Sequence, residues 1–302
     1  MIQRWHILGA GSIGCLWACN LVSMGYPVTL LLRNPAKLDI FNSTGAITLA
    51  EKRYSVSAEL TDTSTEIDQL LITTKSTDTI TALQSIKERL SKNVKVIVLQ
   101  NGLGSQQWVK DQLPDAEIAW ASTTDGVWTK TPFNLVHAGK GITRIGSPIT
   151  RHAWVAALEK GFLKVEQDDD IAATLWRKLA INCAINPLTA VYQCKNGELI
   201  NNPDYLATMV AICKEVELVA ESEGIELFDG PLIEQACHVA ELTAENYSSM
   251  MQDIQHQRIT EISHITGYLC ERAKQHGLHT PTNNTYLRKI KKLHENIKTS
   301  AY

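Results

Sequence analysis

The 302-residue sequence has no apolar run approaching the roughly 18 residues of a membrane span, no CxxC pair and no basic stripe. Each absence removes a class of function. The formal charge of −3 comes from 29 basic and 32 acidic residues that are interspersed, so no nucleic-acid surface is expected. Seven cysteines (Cys15, Cys19, Cys183, Cys194, Cys213, Cys237, Cys270) are odd in number and scattered, which fits reduced thiols in a cytoplasmic protein. Cys15 and Cys19 share a helical face and read as small core residues. His276 and His279 lack a second ligand pair and read as surface histidines, so no metal site is expected. Arg4 before an apolar run imitates a secretory leader, but three glycines and the polar Asn20 and Ser23 interrupt that run. Neither export nor anchoring is expected.

What is present is 44% hydrophobic residues, enough for a sizeable core in about two domains. Trp5-His6-Ile7-Leu8 reads as a strand, followed by Gly9-Ala10-Gly11-Ser12-Ile13-Gly14 and a helical pattern from Cys15 to Val22. Gly25 closes that helix, and residues 28–32 form a buried second strand. In such a βαβ unit Gly9 permits the tight turn, Gly11 lets backbone N–H groups approach a pyrophosphate, and Gly14 lets helix pack on strand. Its place between strand and helix favours a dinucleotide cradle over a glycine-rich turn without ligand. The second strand ends in Arg33, where an NAD-selective site offers Asp or Glu to the ribose. A guanidinium there can hold a 2′-phosphate, so NADP(H) is favoured, the alternative being a solvated surface arginine.

Further strands are expected at 70–74, 94–99 and 118–121, with helical spacing over 78–90, in an alternating β/α layout. Lys75 and Gln100-Asn101-Gly102-Leu103-Gly104 then fall at carboxyl ends of strands, where open α/β sheets bind ligands. Residues 134–138 and 142–145 read as a hairpin through Gly139-Lys140-Gly141. From Asp168 onward helical patterns take over. This gives a domain of residues 1–167 and a helical domain of residues 168–302, with Asp170 as a candidate N-cap.

In LWRKLAINCAINPLTA (175–190), Lys178, Asn182 and Asn186 recur every four residues, about 40° apart per step, in a stripe roughly 12 Å long. Leu175, Leu179, Ile181, Ile185 and Leu188 supply the buried faces, and Pro187 is expected to kink or end the helix. One cation and two amides suit a small ligand carrying a carboxylate and hydroxyls. The same residues could equally bond to neighbouring helices.

GAGSIG, QNGLG, LWRKLAINCAINPLTA, CKNGEL, and ENYSSMMQDI followed by TEI, in that order over nearly the whole chain, resemble the ketopantoate reductase (2-dehydropantoate 2-reductase) family. The resemblance implies an α/β fold: an N-terminal Rossmann dinucleotide-binding domain plus a C-terminal all-α domain of the 6-phosphogluconate dehydrogenase-like kind, with the site in the cleft between them. It implies reduction of 2-dehydropantoate to pantoate with NADPH, on the way to pantothenate and coenzyme A. Gly9, Ala10, Gly11, Ser12, Ile13 and Gly14 match the cofactor turn. Arg33, Lys75, Asn101 and, more loosely, the backbone of Val127 match cofactor contacts. Lys178 matches the catalytic lysine, and Asn101, Asn182, Asn186, Asn196 and Ser249 match substrate contacts. Glu261 matches a glutamate near the cofactor ribose and the lysine. The expected partner is a small 2-keto acid, in a monomer or homodimer.

Hydride arriving at the 2-keto carbon generates an alkoxide, which the Lys178 ammonium can stabilise and protonate. Burial lowers a lysine pKa and a nearby Glu261 raises it, so the two should titrate together. Ser249 and Glu261 are 12 residues apart, about 18 Å along a continuous helix, too far to share a small pocket. A helix break is therefore expected between Ile254 and Thr260, with Thr260 capping the next helix. Two other readings stay open: a reductase of another branched 2-keto acid, and an NADP(H)-binding regulator without catalysis.

Overall fold

The computed structural model describes residues 3–147 and 151–299. Its chain divides into two units, residues 1–100 with 105–172, and residues 101–104 with 173–302. The first contains β1 (Trp5–Leu8), α1 (Ser12–Ser23), β2 (Val28–Leu32), α2 (Pro35–Thr44), β3 (Ile47–Leu49), β4 (Lys52–Tyr54), β5 (Ser57–Leu60), β6 (Ile67–Ile72), α3 (Thr79–Gln84), β7 (Leu90–Leu99), α4 (Ser105–Gln112), β8 (Glu117–Thr123), β9 (Gly126–Thr131), β10 (Asn134–Gly139), β11 (Ile142–Gly146) and β12 (Lys164–Gln167).

Eight strands form one sheet in the order β12-β11-β8-β7-β6-β1-β2-β5. The run from β8 to β5 is parallel, and β11 lies antiparallel to β8. Register explains the continuous apolar strands. Leu30, Ile7, Leu71, Ile97 and Ala119 align across one face, and Leu31, Leu8, Ile72 and Val98 across the other. Both rows are buried in separate core clusters, as a sheet covered on both faces requires. The first row shares its core with α1 and with a four-stranded sheet ordered β4-β3-β10-β9.

That second sheet corrects the expected hairpin. β10 pairs with β9 and β3, whereas β11 pairs with β8 and β12, so Gly139-Lys140-Gly141 carries the chain from one sheet to the other. A Cβ on Gly141 would lie 2.3 Å from the Thr124 backbone, so the crossing is too tight for a side chain. The helical stretch expected over 78–90 is also shorter. It consists of α3 flanked by 3₁₀ turns at Ser76–Asp78 and Lys87–Arg89.

The second unit is helical: α5 (Ile171–Tyr192, entering from the first unit), α6 (Glu198–Asn201), α7 (Pro203–Ser222), α8 (Leu232–Leu242), α9 (Ser249–Gln255), α10 (Thr266–Gln275) and α11 (Pro281–Thr299). The buried Glu215 of α7 accepts from the backbone N–H groups of Thr282 (2.8 Å) and Asn283 (2.9 Å) and from Asn283 Nδ2 (2.8 Å). A carboxylate at the positive end of α11 supplies charge-assisted bonds of about 1.5–3 kcal/mol each, which lock the two helices together. Pro187 does not end α5, which continues for five residues to Tyr192. Among the described residues no helix is long and apolar enough to cross a membrane.

Candidate functional site

In the first unit the three glycines of the turn do different physical work. Gly9 has φ +111°, and a Cβ there would lie 2.4 Å from Thr74 N. A Cβ on Gly14 would lie 2.2 Å from the Gly9 carbonyl, so helix and turn touch backbone to backbone. A Cβ on Gly11 would meet nothing within 4 Å, so this residue borders open space. Behind the turn, Thr73 Oγ1 donates to Gly9 O (2.7 Å). The N-terminus of α1 has neither a side-chain cap nor an acid in its first turn, and Ser12 and Ile13 are half-buried there. An open approach to uncapped helix N–H groups fits a pyrophosphate.

The carboxyl ends of β6 and β7 are tied together. Gln100 Nε2 donates to Thr74 O and Thr74 Oγ1 (both 2.8 Å) and to Thr79 Oγ1, on either side of Lys75. Lys75 is half-buried, and its carbonyl starts the 3₁₀ turn that leads to Asp78. Arg33, at the end of β2, is 82% exposed with Nη1 3.5 Å from Asp78 Oδ2, a weak and solvated pair. Val127 lies in β9, paired with His137 and packed against the α1 side of the core. Just before it, Asp125 accepts from Thr123 Oγ1 (2.9 Å) and Gly141 N (3.0 Å) and bonds His137 Nε2 (2.8 Å), which fixes the chain where it leaves the large sheet.

In the second unit α5 carries the polar stripe. Lys178 and Asn182 are half-buried and Asn186 is buried. Burial pushes the Lys178 pKa down to about 8, and the Glu261 carboxylate opposes that fall. Asn101 Nδ2 donates to Glu261 Oε2 (3.1 Å), so these three residues form one connected group. Asn196 precedes α6. Its Nδ2 donates to Thr243 Oγ1 (2.9 Å), while its Oδ1 is buried without a partner among the described residues. Ser249 is exposed at the first position of α9. The preceding Ser248 is the buried member of the pair: it caps α9 by accepting from Met251 N (3.1 Å) and accepts from Thr189 Oγ1 of α5 (2.7 Å).

The chain is not helical between Gln255 and Thr266, and Gln257 adopts a left-handed conformation with φ +54°. No glycine or proline makes this break. Thr260 does not cap α10, whose N-cap is Ile265. Instead Thr260 Oγ1 accepts from Ile262 N (3.3 Å), closing a turn that holds Glu261. His294 of α11 anchors that turn, with Nε2 accepting from Thr260 N (3.2 Å) and 3.0 Å from Thr260 Oγ1. Leu103 N donates to His264 O (2.9 Å), and Gly102 (φ +80°) has no room for a Cβ, which would lie 2.4 Å from that same carbonyl.

Sequence reasoning missed His294, Ser248 and Lys37. Lys37, on the first turn of α2, sends its ammonium to the Ala10 carbonyl (2.8 Å). Its one legible signal is spacing, four residues after Arg33 on a chain leaving a strand end.

Known proteins match over both units. The family described as ketopantoate reductase PanE/ApbA matches residues 5–149, and its C-terminal counterpart, ketopantoate reductase PanE/ApbA C terminal, matches residues 170–294. The chain is 35% identical to the 2-dehydropantoate 2-reductase of Vibrio cholerae over 297 residues, spanning 96% of this chain and 97% of that relative. It is 34% identical to the enzyme of the same name from Pyrococcus horikoshii, over 93% of this chain and 94% of the relative. Among solved structures, a PanE/ApbA family ketopantoate reductase from Ralstonia eutropha superposes with TM-score 0.89 at 26% identity, covering 98% of this chain and 100% of that one. A D-mandelate dehydrogenase in complex with NADH and anilino(oxo)acetate shares the fold, with TM-score 0.90 at 22% identity over 98% and 100% of the two chains. With both halves matched in order and two relatives above 30% identity over nearly their whole length, the chain belongs to the ketopantoate reductase family.

Proposed function

We propose that the chain reduces 2-dehydropantoate to pantoate with NADPH, the reaction that supplies pantothenate and coenzyme A synthesis. The names of its relatives support the substrate, and the lysine–glutamate–asparagine group supports the chemistry. Gly9, Ala10, Gly11, Ser12, Ile13 and Gly14 would hold the pyrophosphate, Arg33 the phosphorylated ribose, and Lys75, the Val127 backbone, Asn101 and Glu261 the rest of the cofactor. Bound NADPH supplies a hydride to the 2-keto carbon. Lys178 stabilises the developing alkoxide and delivers a proton to it from Nζ, returning to the ammonium form from solvent. Asn182, Asn186, Asn196 and Ser249 donate to the carboxylate of the keto acid and donate to or accept from its hydroxyl. The buried Asn196 Oδ1 is the acceptor best suited to the hydroxyl.

The carrying observation is Lys178 with its pKa near 8 beside Glu261: an amine that holds a proton at neutral pH yet releases it readily. NADPH consumption, followed by absorbance with a panel of branched 2-keto acids, tests the reading. Fastest turnover per unit KM with 2-dehydropantoate is expected. A different preferred acid would reassign the substrate, and no consumption with any acid would favour a nucleotide-binding regulator. The unpaired state of all seven cysteines supports a cytoplasmic location, and sedimentation will decide between a monomer and a homodimer.

A further inference from the structure

Lys37 is a half-buried amine with no counter-charge among the described residues. Its Nζ donates to the Ala10 carbonyl inside the glycine turn (2.8 Å) and lies 5.8 Å from the centroid of the Phe133 ring. Among the described residues no carboxylate pairs with it. Burial is the main force lowering its pKa, and the Arg33 guanidinium, close enough to repel it, adds to the effect. A carbonyl dipole and a ring face compensate an ammonium only in part, so the folded chain bears an unfavourable charge at this spot.

The position of that charge carries the argument. α2 begins immediately after β2, with Asn34 capping through Ala36 N (2.8 Å) and Pro35 opening the first turn. This local geometry turns Lys37 back to the glycine turn, where its Nζ reaches the Ala10 carbonyl; in a βαβ unit of this kind the adenosine ribose lies near the end of the second strand, from which α2 departs. Arg33 flanks the same strand end, largely exposed and only weakly held by Asp78. Two cations thus flank this stretch of chain: Lys37 on the carbonyl of Ala10, the residue before Gly11, and Arg33 near enough for its charge to act on Lys37.

We propose that Lys37, together with Arg33, reads the 2′-phosphate of NADP(H), and that Lys37 supplies the larger share of the preference over NAD(H) because it is already ordered and partly desolvated. This rests on the reading of the first unit as the NADPH site. A half-buried cation held in place loses little freedom on meeting an anion, whereas an exposed arginine must be ordered first.

Lys37→Gln keeps an N–H donor for the Ala10 carbonyl and removes the charge. Calorimetric titration should show NADP+ affinity reduced by about tenfold or more with NAD+ affinity unchanged, as expected for a lost charge-assisted bond. Lys37→Arg should retain the preference for NADP+. Equal weakening of both nucleotides would make Lys37 a support of the turn only, and unchanged NADP+ binding would remove it from the site; either result overturns the proposal. If wild type itself does not prefer NADP+ over NAD+, the cofactor reading fails first. On the unaltered chain, 2′,5′-ADP should protect Lys37 from reductive methylation, mapped by peptide mass spectrometry, more strongly than 5′-ADP does. Equal protection would overturn the assignment even if the glutamine variant failed to fold.

Discussion

The two units each hold a half-buried lysine with a lowered pKa, and they compensate it differently. Lys178 on α5 is opposed by the Glu261 carboxylate, itself held by Asn101. Lys37 on α2 has a carbonyl and a ring face but, among the described residues, no carboxylate. A cation with an internal partner is set up to exchange a proton, since the partner keeps the pKa within reach of neutrality. A cation without one awaits a charge from outside. The ligand contacts proposed around Lys37 are mostly backbone and depend on glycine. Those proposed around Lys178 are side chains, which depend on spacing along α5 and on the loops that carry Asn101, Asn196 and Glu261.

The largest effect should come from the second unit. Lys178→Ala is expected to lower kcat by about 10²- to 10⁴-fold while NADPH still binds, read from steady-state kinetics beside a fluorescence titration of the cofactor. Near-normal turnover would make the two lysines alike and dissolve the contrast. In the first unit, Gly11→Ala places a methyl in open space. The melting temperature of the free chain should therefore hold while NADPH affinity falls, by about tenfold or more, because the methyl occupies the approach to the turn. Asn182→Ala and Asn186→Ala should each raise KM for the keto acid by about tenfold and leave NADPH affinity alone, which would separate the stripe from the cradle.

Smaller effects test the charge balance. In the unfolded chain Lys178 keeps its proton up to the ordinary 10.5, but in the folded protein only to about 8. Between those values the unfolded chain binds the extra proton, so stability rises with pH across the window. Lys178→Met should therefore be inactive yet more stable at pH 7, by on the order of 1–2 kcal/mol given the partial exposure of the side chain, measured by chemical denaturation. Glu261→Gln removes the charge that raises the Lys178 pKa. The alkaline fall of kcat should then begin at lower pH than in wild type, and an unmoved limb would detach Glu261 from the lysine.

The elements most legible in the sequence are those governed by local rules. The first βαβ unit stands where the strand run, glycine spacing and C-terminal glycine place it, because tight turns and buried strands leave few residue choices. The break after α9 was legible from distance alone, although its cause was not: the left-handed Gln257 and His294, 34 residues beyond Thr260, hold it open. Elements decided by tertiary pairing were not legible. Residues 134–146 have hairpin-like spacing, yet the two strands join different sheets because better partners wait at β9 and β8. Pro187 reads as a terminator but is carried within α5, whose flanks are buried on both sides of it. Lys37 was legible only by its spacing from Arg33: nothing in PAKLD announces that the amine will fold back onto Ala10.

Four residues have a consequence for anyone who would divide this protein. Asn101, Gly102, Leu103 and Gly104 are encoded between β7 and α4, yet they pack with the helical unit. A fragment beginning at residue 173 would lack the amide that steadies Glu261 and the N–H that meets the His264 carbonyl, while its N-terminal complement would end with those groups unengaged. The order of the gene and the order of the architecture differ here, so exchanging halves between relatives requires grafting this short insert along with the helices.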